Sequence, residues 1–155
     1  MTPAINTAKK AKIKFNTHEY EHDSNAESYG IEAADKMGVS ILQVFKTLVV
    51  YLDQKNFAVG LVPVSGMLNM KRIAKAAGAK KAIMADKHDV ERLTGYVLGG
   101  VSPLGQKKRL KTVIDISAED FATIFVSAGR RGLEIELSPA DLKKLTNGMF
   151  AEISE

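Results

Sequence analysis

The chain has 155 residues, of which 45% are hydrophobic and 26% are charged, a composition typical of a globular protein. This length fits one hydrophobic core, so we expect a single domain spanning residues 1–155. No segment approaches the roughly 20 consecutive apolar residues that cross a bilayer, so we expect a cytoplasmic protein without a membrane partner. The sequence has no cysteine, which excludes disulfides, thiolate metal sites and a thiol nucleophile carried by the protein.

Helix and strand signals alternate in the first third of the chain. Thr2 is a suitable N-cap for a short helix with an apolar stripe, and the aromatic and β-prone residues 15–20 predict a strand. The next helical pattern ends at Gly38, a favourable C-terminal stop. Two strongly apolar runs then follow at 45–52 and 57–62, and the polar residues between them predict a buried hairpin.

The middle of the chain again predicts helix, strand and helix. Asn69 can cap a basic helix that ends at Gly78, and residues 82–85 predict a short strand. Asp86 can cap a further helix that ends at Gly95.

The C-terminal third predicts mainly strands. Apolar runs at 112–116, 121–126 and 133–137 are separated by short polar turns, a pattern typical of an antiparallel meander. Ser138 is a suitable cap for a final helix. Hairpins mixed with scattered helices predict an α+β fold, in which helices surround one mixed, curved, barrel-like sheet.

The segment His18–His22 matches the H-E-x-x-H pattern of zinc metalloproteases, in which one helical face presents both imidazoles to the metal. We expect no metal here, because the residues around His18 predict a strand. Four residues of strand span about 13 Å, which is too far for both rings to bind one ion.

The glycine-rich segment 99–103 can present backbone N–H groups to an anionic or carbonyl oxygen. A simple turn explains the same residues. The segment 100–107 resembles a phosphate-binding loop, but Gln106 occupies the position of the required lysine, so we do not expect nucleotide hydrolysis.

Lys46 is the one charged residue in the apolar run 45–52. Burial of an ammonium group costs several kcal/mol unless the charge is paired or used. A functional lysine and a lysine that extends its amine to solvent from the strand end are both compatible with this position.

Basic residues are in slight excess, with a formal net charge of +4, which favours a polyanionic partner. Lys107, Lys108 and Arg109 directly follow the glycine-rich segment and could hold phosphates, although a solvated loop is equally compatible. The segment Ser127–Gly132 lies between two predicted strands and carries a hydroxyl group and two guanidinium groups.

Taken together, several segments resemble the YbaK family of bacterial trans-editing aminoacyl-tRNA deacylases, and the similarity covers essentially the whole chain. The segments that carry the resemblance are Met1–Ile5, Phe45–Leu48, Gly99–Arg109 and Val126–Leu133. The Lys-Thr pair and the G-x-x-x-P loop also resemble the editing domain inserted in bacterial prolyl-tRNA synthetases.

This resemblance implies hydrolysis of cysteine from mischarged Cys-tRNA(Pro), without a metal or other cofactor. It places the essential lysine at Lys46 and pocket residues at Tyr20, Tyr29, Thr47, Gly99 and Ser127. We also expect the rest of the glycine-rich segment to bind substrate, namely Gly100, Val101, Ser102 and Pro103. At the position of Tyr29 the family usually has phenylalanine, and Ala128 stands where the family usually has glycine.

The resemblance also implies that the cysteine thiol of the substrate attacks its own ester carbonyl. We hypothesise that Lys46 holds the acceptor-end phosphate or ester, while amides near Gly99 to Ser102 stabilise the oxyanion. The expected partners are the acceptor end of mischarged tRNA and prolyl-tRNA synthetase. Two alternatives remain open: a deacylase for another mischarged tRNA, such as Ala-tRNA(Pro), and a non-catalytic module that binds tRNA or a synthetase.

Overall fold

The computed structural model describes residues 1–26 and 28–155, which form five α-helices, eight strands and one 3₁₀ helix. The helices are α1 (Pro3–Lys10), α2 (Tyr29–Met37), α3 (Met70–Ala76), α4 (Lys87–Thr94) and α5 (Pro139–Thr146), and the 3₁₀ helix is Ile116–Asp120. The strands are β1 (Phe15–Glu19), β2 (Phe45–Leu52), β3 (Asn56–Pro63), β4 (Ala82–Met84), β5 (Lys111–Asp115), β6 (Ile124–Arg130), β7 (Leu133–Leu137) and β8 (Met149–Ala151).

The predicted helix ends are confirmed. The side chain of each predicted N-cap accepts a hydrogen bond from the backbone N–H three residues later, at Thr2, Asn69, Asp86 and Ser138. Gly38 and Gly95 end α2 and α4 in the left-handed conformation. These signals are local, because a cap needs only its own turn of helix to form.

The strands of the described residues form two sheets. One has three strands in the order β1-β7-β6, and the other has five strands in the order β4-β2-β3-β5-β8. The predicted hairpin is confirmed, since β2 and β3 pair antiparallel from Phe45 opposite Pro63 to Leu52 opposite Asn56. The α+β class is confirmed, and the single barrel-like sheet is corrected to two sheets.

The predicted antiparallel meander is wrong for its first strand and confirmed for its last two. β5 does not pair with β6, the next strand along the chain. It pairs parallel to β3, with Val59 opposite Thr112, while β6 and β7 form a hairpin in the other sheet. Residues 112–115 are buried at every position, as expected for a strand covered on both faces in a parallel arrangement. The short strand β8, which we did not predict, pairs parallel to β5.

The two sheets meet beside the start of β2. Val44 forms a parallel bridge with Phe125 of β6, and the backbone N–H of Phe125 donates to the carbonyl of Gln43 at 3.1 Å. This contact places the residues at the start of β2 next to the start of β6. In the part of the chain that the structure describes, no helix has both the length and the apolar character needed to cross a membrane.

Candidate functional site

A cavity of about 340 Å³ opens where the two sheets meet. Its walls come from the end of β1, the first turn of α2, the start of β2, the loop before Val101, and the β6–β7 hairpin. The structure brings seven of the predicted site residues together in this cavity, namely Tyr20, Tyr29, Lys46, Thr47, Gly99, Val101 and Ser127. They come from five separate segments of the chain, and the junction of the sheets brings these segments together.

Lys46 lies in the cavity wall, where it is half-buried. Burial lowers the pKa of its amine below the ordinary value, because a partly desolvated ammonium loses hydration. No ion pair joins Lys46 to another described residue. Lys46 is therefore an unpaired, partly desolvated amine that faces a concave space, an arrangement suited to an anionic or ester oxygen.

The side chain of Thr47 is a second polar group of the cavity that lacks a partner among the described residues. Its hydroxyl oxygen is buried and has no hydrogen-bond partner among the described residues. An unsatisfied buried hydroxyl group costs about 1–3 kcal/mol. Because Thr47 also lines the cavity, a bound molecule could supply the missing partner.

The loop that contains Gly99 contributes unpaired backbone donors. Among the described residues, no backbone carbonyl accepts the N–H of Gly99 or of Val101, and both residues line the cavity. Gly99 has a φ of +87°, and a Cβ at this position would lie 2.5 Å from Arg131 Nε and 3.0 Å from Tyr29 Cε2. The position therefore needs glycine both for its conformation and for the close packing around it.

Ser127 precedes an irregularity in the β6–β7 hairpin. The register shifts between Ser127 and Arg130, and Gly129 adopts a φ of +113° within it. Ala128 is fully buried and its carbonyl accepts a hydrogen bond from Thr2 Oγ1. Because the left-handed conformation falls on Gly129 and not on Ala128, the alanine is accommodated without obstruction.

Three residues of the predicted pocket do not line the cavity. Gly100 packs on the backbone of Arg130, where a Cβ would lie 2.7 Å from its Cα. Ser102 is fully buried and its hydroxyl accepts a hydrogen bond from the N–H of Leu104 at 3.2 Å. Pro103 lines a different concavity. These residues shape the loop, and they do not face the space that Lys46 faces.

The basic cluster Lys107–Arg109 also lies outside the cavity. All three residues are exposed, and Lys108 and Arg109 border a shallow concavity that they share with Pro103. The segment is fastened to the end of α4, since the N–H groups of Lys107 and Lys108 donate to the carbonyls of Thr94 and Leu93 at 3.1 and 3.0 Å. The cluster is available for a contact away from the cavity.

Glu134 is a cavity residue that the sequence analysis missed. It is 6% exposed, it lines the cavity, and burial raises its pKa to about 8. Burial also raises the pKa of the neighbouring Tyr20 to about 12, with a further contribution from the charge of Glu134. Its position in the alternating run Leu-Glu-Ile-Glu-Leu predicts a solvent-facing side chain, so the local pattern gave no signal.

The two histidines of the H-E-x-x-H segment contact different carboxylates. His18 Nε2 lies 2.9 Å from Glu136 Oε1, and His22 Nδ1 lies 2.7 Å from Glu32 Oε1. His18 lies in β1, as predicted. The described residues contain no group of three or more histidine, cysteine, aspartate or glutamate side chains that could hold a metal ion.

The chain is similar to several known proteins. Over 156 aligned residues the chain is 38% identical to EbsC of Enterococcus faecalis, described as a candidate Cys-tRNA(Pro)/Cys-tRNA(Cys) deacylase, and the alignment covers 99% of the chain and 93% of EbsC. The hypothetical protein APE2540 has a similar crystal structure, with a TM-score of 0.87, 25% identity, and 99% of each chain covered.

A crystal structure described as a candidate trans-editing enzyme for prolyl tRNA synthetase has the same fold, with a TM-score of 0.85 and 21% identity, and the match covers 100% of this chain and 99% of the other. Residues 24–145 match the family described as the aminoacyl-tRNA editing domain. This match covers most of the chain and includes every residue that lines the cavity except Tyr20. The chain therefore belongs to the aminoacyl-tRNA editing domain family.

Proposed function

We propose that the chain is a trans-editing deacylase that removes cysteine from mischarged Cys-tRNA(Pro). The observation that carries the proposal is the cavity lined by Lys46, Thr47, Gly99 and Val101. Among the described residues, the amine of Lys46 has no ion-pair partner, the hydroxyl of Thr47 has no hydrogen-bond partner, and no backbone carbonyl accepts the N–H groups of the loop. The similarity to EbsC supports an activity on a cysteinyl ester. We also propose that residues 1–155 act as one editing domain, because Ala4 and Ala8 of α1 pack into the same core as Phe45.

The proposed reaction uses the thiol of the substrate. Its sulfur attacks the ester carbonyl carbon, a carbon–sulfur bond forms, and the bond from that carbon to the ribose oxygen breaks. The thiol proton ends on the released ribose hydroxyl, so the products are free tRNA and a cyclic thioester. Holding the thiol against the carbonyl can lower the barrier by several kcal/mol, so a site without its own nucleophile can work.

Several polar groups of the cavity have a part in this proposal. Lys46 holds the terminal phosphate or the ester oxygen by charge, while the N–H groups of Gly99 and Val101 donate to the oxyanion that develops at the carbonyl. Tyr20 and Thr47 orient the aminoacyl group with their hydroxyls. The carboxylate of Glu134 accepts a hydrogen bond from the α-ammonium group of the amino acid, and that positive charge favours the ionised form of Glu134.

The test is deacylation of tRNA(Pro) charged with cysteine, serine or alanine, at low enzyme concentration, with and without prolyl-tRNA synthetase. We expect multiple turnovers with the cysteinyl ester and rates near the uncatalysed value with the seryl ester, because a hydroxyl is a much weaker nucleophile than a thiol at neutral pH. Equal rates for the cysteinyl and seryl esters would exclude attack by the substrate thiol. Turnover of the alanyl ester alone would identify another mischarged tRNA as substrate.

We propose that Lys107, Lys108 and Arg109 contact tRNA phosphates outside the cavity. Replacing all three with alanine should raise KM, leave kcat unchanged, and reduce the slope of log affinity against log salt concentration by about 2 to 3. The matched control replaces Lys71, Lys75 and Lys80, which are equally exposed, and removes the same charge elsewhere. If both triple variants lose the same affinity, the effect comes from net charge and the proposed contact does not exist.

A further inference from the structure

Arg131 lies in the turn between β6 and β7, just outside the cavity. Its side chain is exposed, yet it is held by specific contacts on two sides. It donates through Nε and Nη2 to the carbonyl oxygen of Leu98 at 3.1 and 2.8 Å. Its guanidinium carbon lies 4.4 Å from the ring centroid of Tyr29, within the range of a cation–π contact.

These contacts connect two walls of the cavity. Tyr29 belongs to α2, whereas Leu98 and Gly99 belong to the loop that follows α4, and all three line the cavity. No ion pair joins Arg131 to another described residue. The guanidinium group therefore makes its visible contacts with the two walls rather than with a neighbouring carboxylate.

The contact with Leu98 also determines where the next N–H points. Leu98 C=O and Gly99 N–H belong to one trans peptide, so they point in opposite directions. Because the carbonyl points at Arg131, the N–H of Gly99 points away from it. Arg131 Nε packs so close to Gly99 that a Cβ there would lie 2.5 Å away, which leaves this peptide little room to turn.

We infer that Arg131 is a positioning residue for deacylation: it fixes the Leu98–Gly99 peptide against Tyr29 and thereby aims the Gly99 N–H at the reacting carbonyl. The inference rests on the proposed function and adds a residue that does not itself line the cavity. A lysine cannot take this place, because one ammonium cannot donate twice to one carbonyl and stack on a ring with a planar face.

The experiment compares R131A, R131K and R130A under single-turnover and steady-state conditions with Cys-tRNA(Pro). Arg130 is the matched control, because it is also exposed and pairs with Glu19, with 3.7 Å between Arg130 Nη2 and Glu19 Oε1. For R131A and R131K we expect kcat to fall by about ten- to a hundredfold with little change in KM, as misplacement of a reacting group predicts. R130A should keep the wild-type kcat.

A second measurement is independent of activity. In ¹H–¹⁵N NMR spectra of the folded variants, the amide signal of Gly99 should move in R131A and R131K and stay in place in R130A. If R131A raised KM and R131K kept the wild-type KM, Arg131 would only attract tRNA by its charge, and the inference would be overturned. An unmoved Gly99 signal in R131A would overturn it as well, even if the wild-type protein deacylated no tRNA and the proposed function itself had failed.

Discussion

Replacing Lys46 with alanine should reduce kcat/KM for Cys-tRNA(Pro) by at least about a hundredfold, because removal of one preorganised electrostatic group from an active site typically costs this much. Stability should change by less than about 1 kcal/mol, since no ion pair joins this amine to another described residue and no buried charge is left behind. Single-turnover deacylation and urea unfolding of the same preparation measure both effects.

Two further variants separate charge from shape. Lys46→Met keeps much of the side-chain length without the amine and should be as inactive as the alanine variant. Lys55→Ala removes an exposed lysine from the turn at the other end of the hairpin and should retain full activity. Wild-type turnover by a folded Lys46→Met variant would show that the cation has no part in the reaction.

Glu134 should make the protein less stable as the pH rises from about 5 to 8. Its pKa is 4.5 in the reference state and is raised to about 8 in the fold by burial. Between these values the folded protein holds a proton that the unfolded chain has released, so stability falls with increasing pH. At about 1.4 kcal/mol per pKa unit, the loss attributable to Glu134 is on the order of 2–4 kcal/mol.

The measurement is the free energy of unfolding in urea at pH 5 and at pH 8.5, for the wild type and for Glu134→Gln. The glutamine variant stays neutral at both pH values. Relative to the wild type, its free energy of unfolding should therefore rise by the same 2–4 kcal/mol between pH 5 and pH 8.5.

Glu136→Gln is the matched control on the same strand. In the wild type, the carboxylate of Glu136 accepts a hydrogen bond from Thr123 and lies against His18. The hydrogen bond from Thr123 makes the largest contribution to lowering the pKa of Glu136. Glu136 therefore stabilises the fold above the pKa of the unfolded state, and this contribution is lost only as the pH falls through its lowered pKa. Identical pH dependence in the wild type and in Glu134→Gln would rule out a neutral, buried Glu134.

Lys46 and the two carboxylates of β7 illustrate how far the sequence alone could lead. Lys46 stood out because an ammonium interrupts an apolar run, and burial makes that expensive wherever the strand lies. Glu134 and Glu136 occupy equivalent places in an alternating strand, and the pattern treats them alike. One lines the cavity and the other contacts Thr123 and His18, a difference set by the elements that cover each side chain.

The sequence by itself determined the helix ends at Thr2, Gly38 and Gly95 and the β2–β3 hairpin, because caps and tight turns depend on neighbouring residues only. Only the tertiary structure decided that β5 runs parallel to β3 and that Glu134 and Arg131 stand at the cavity. Strand order, and which residues surround a given side chain, depend on how segments distant in the chain pack against one another. Local sequence patterns do not encode which segments will pack together.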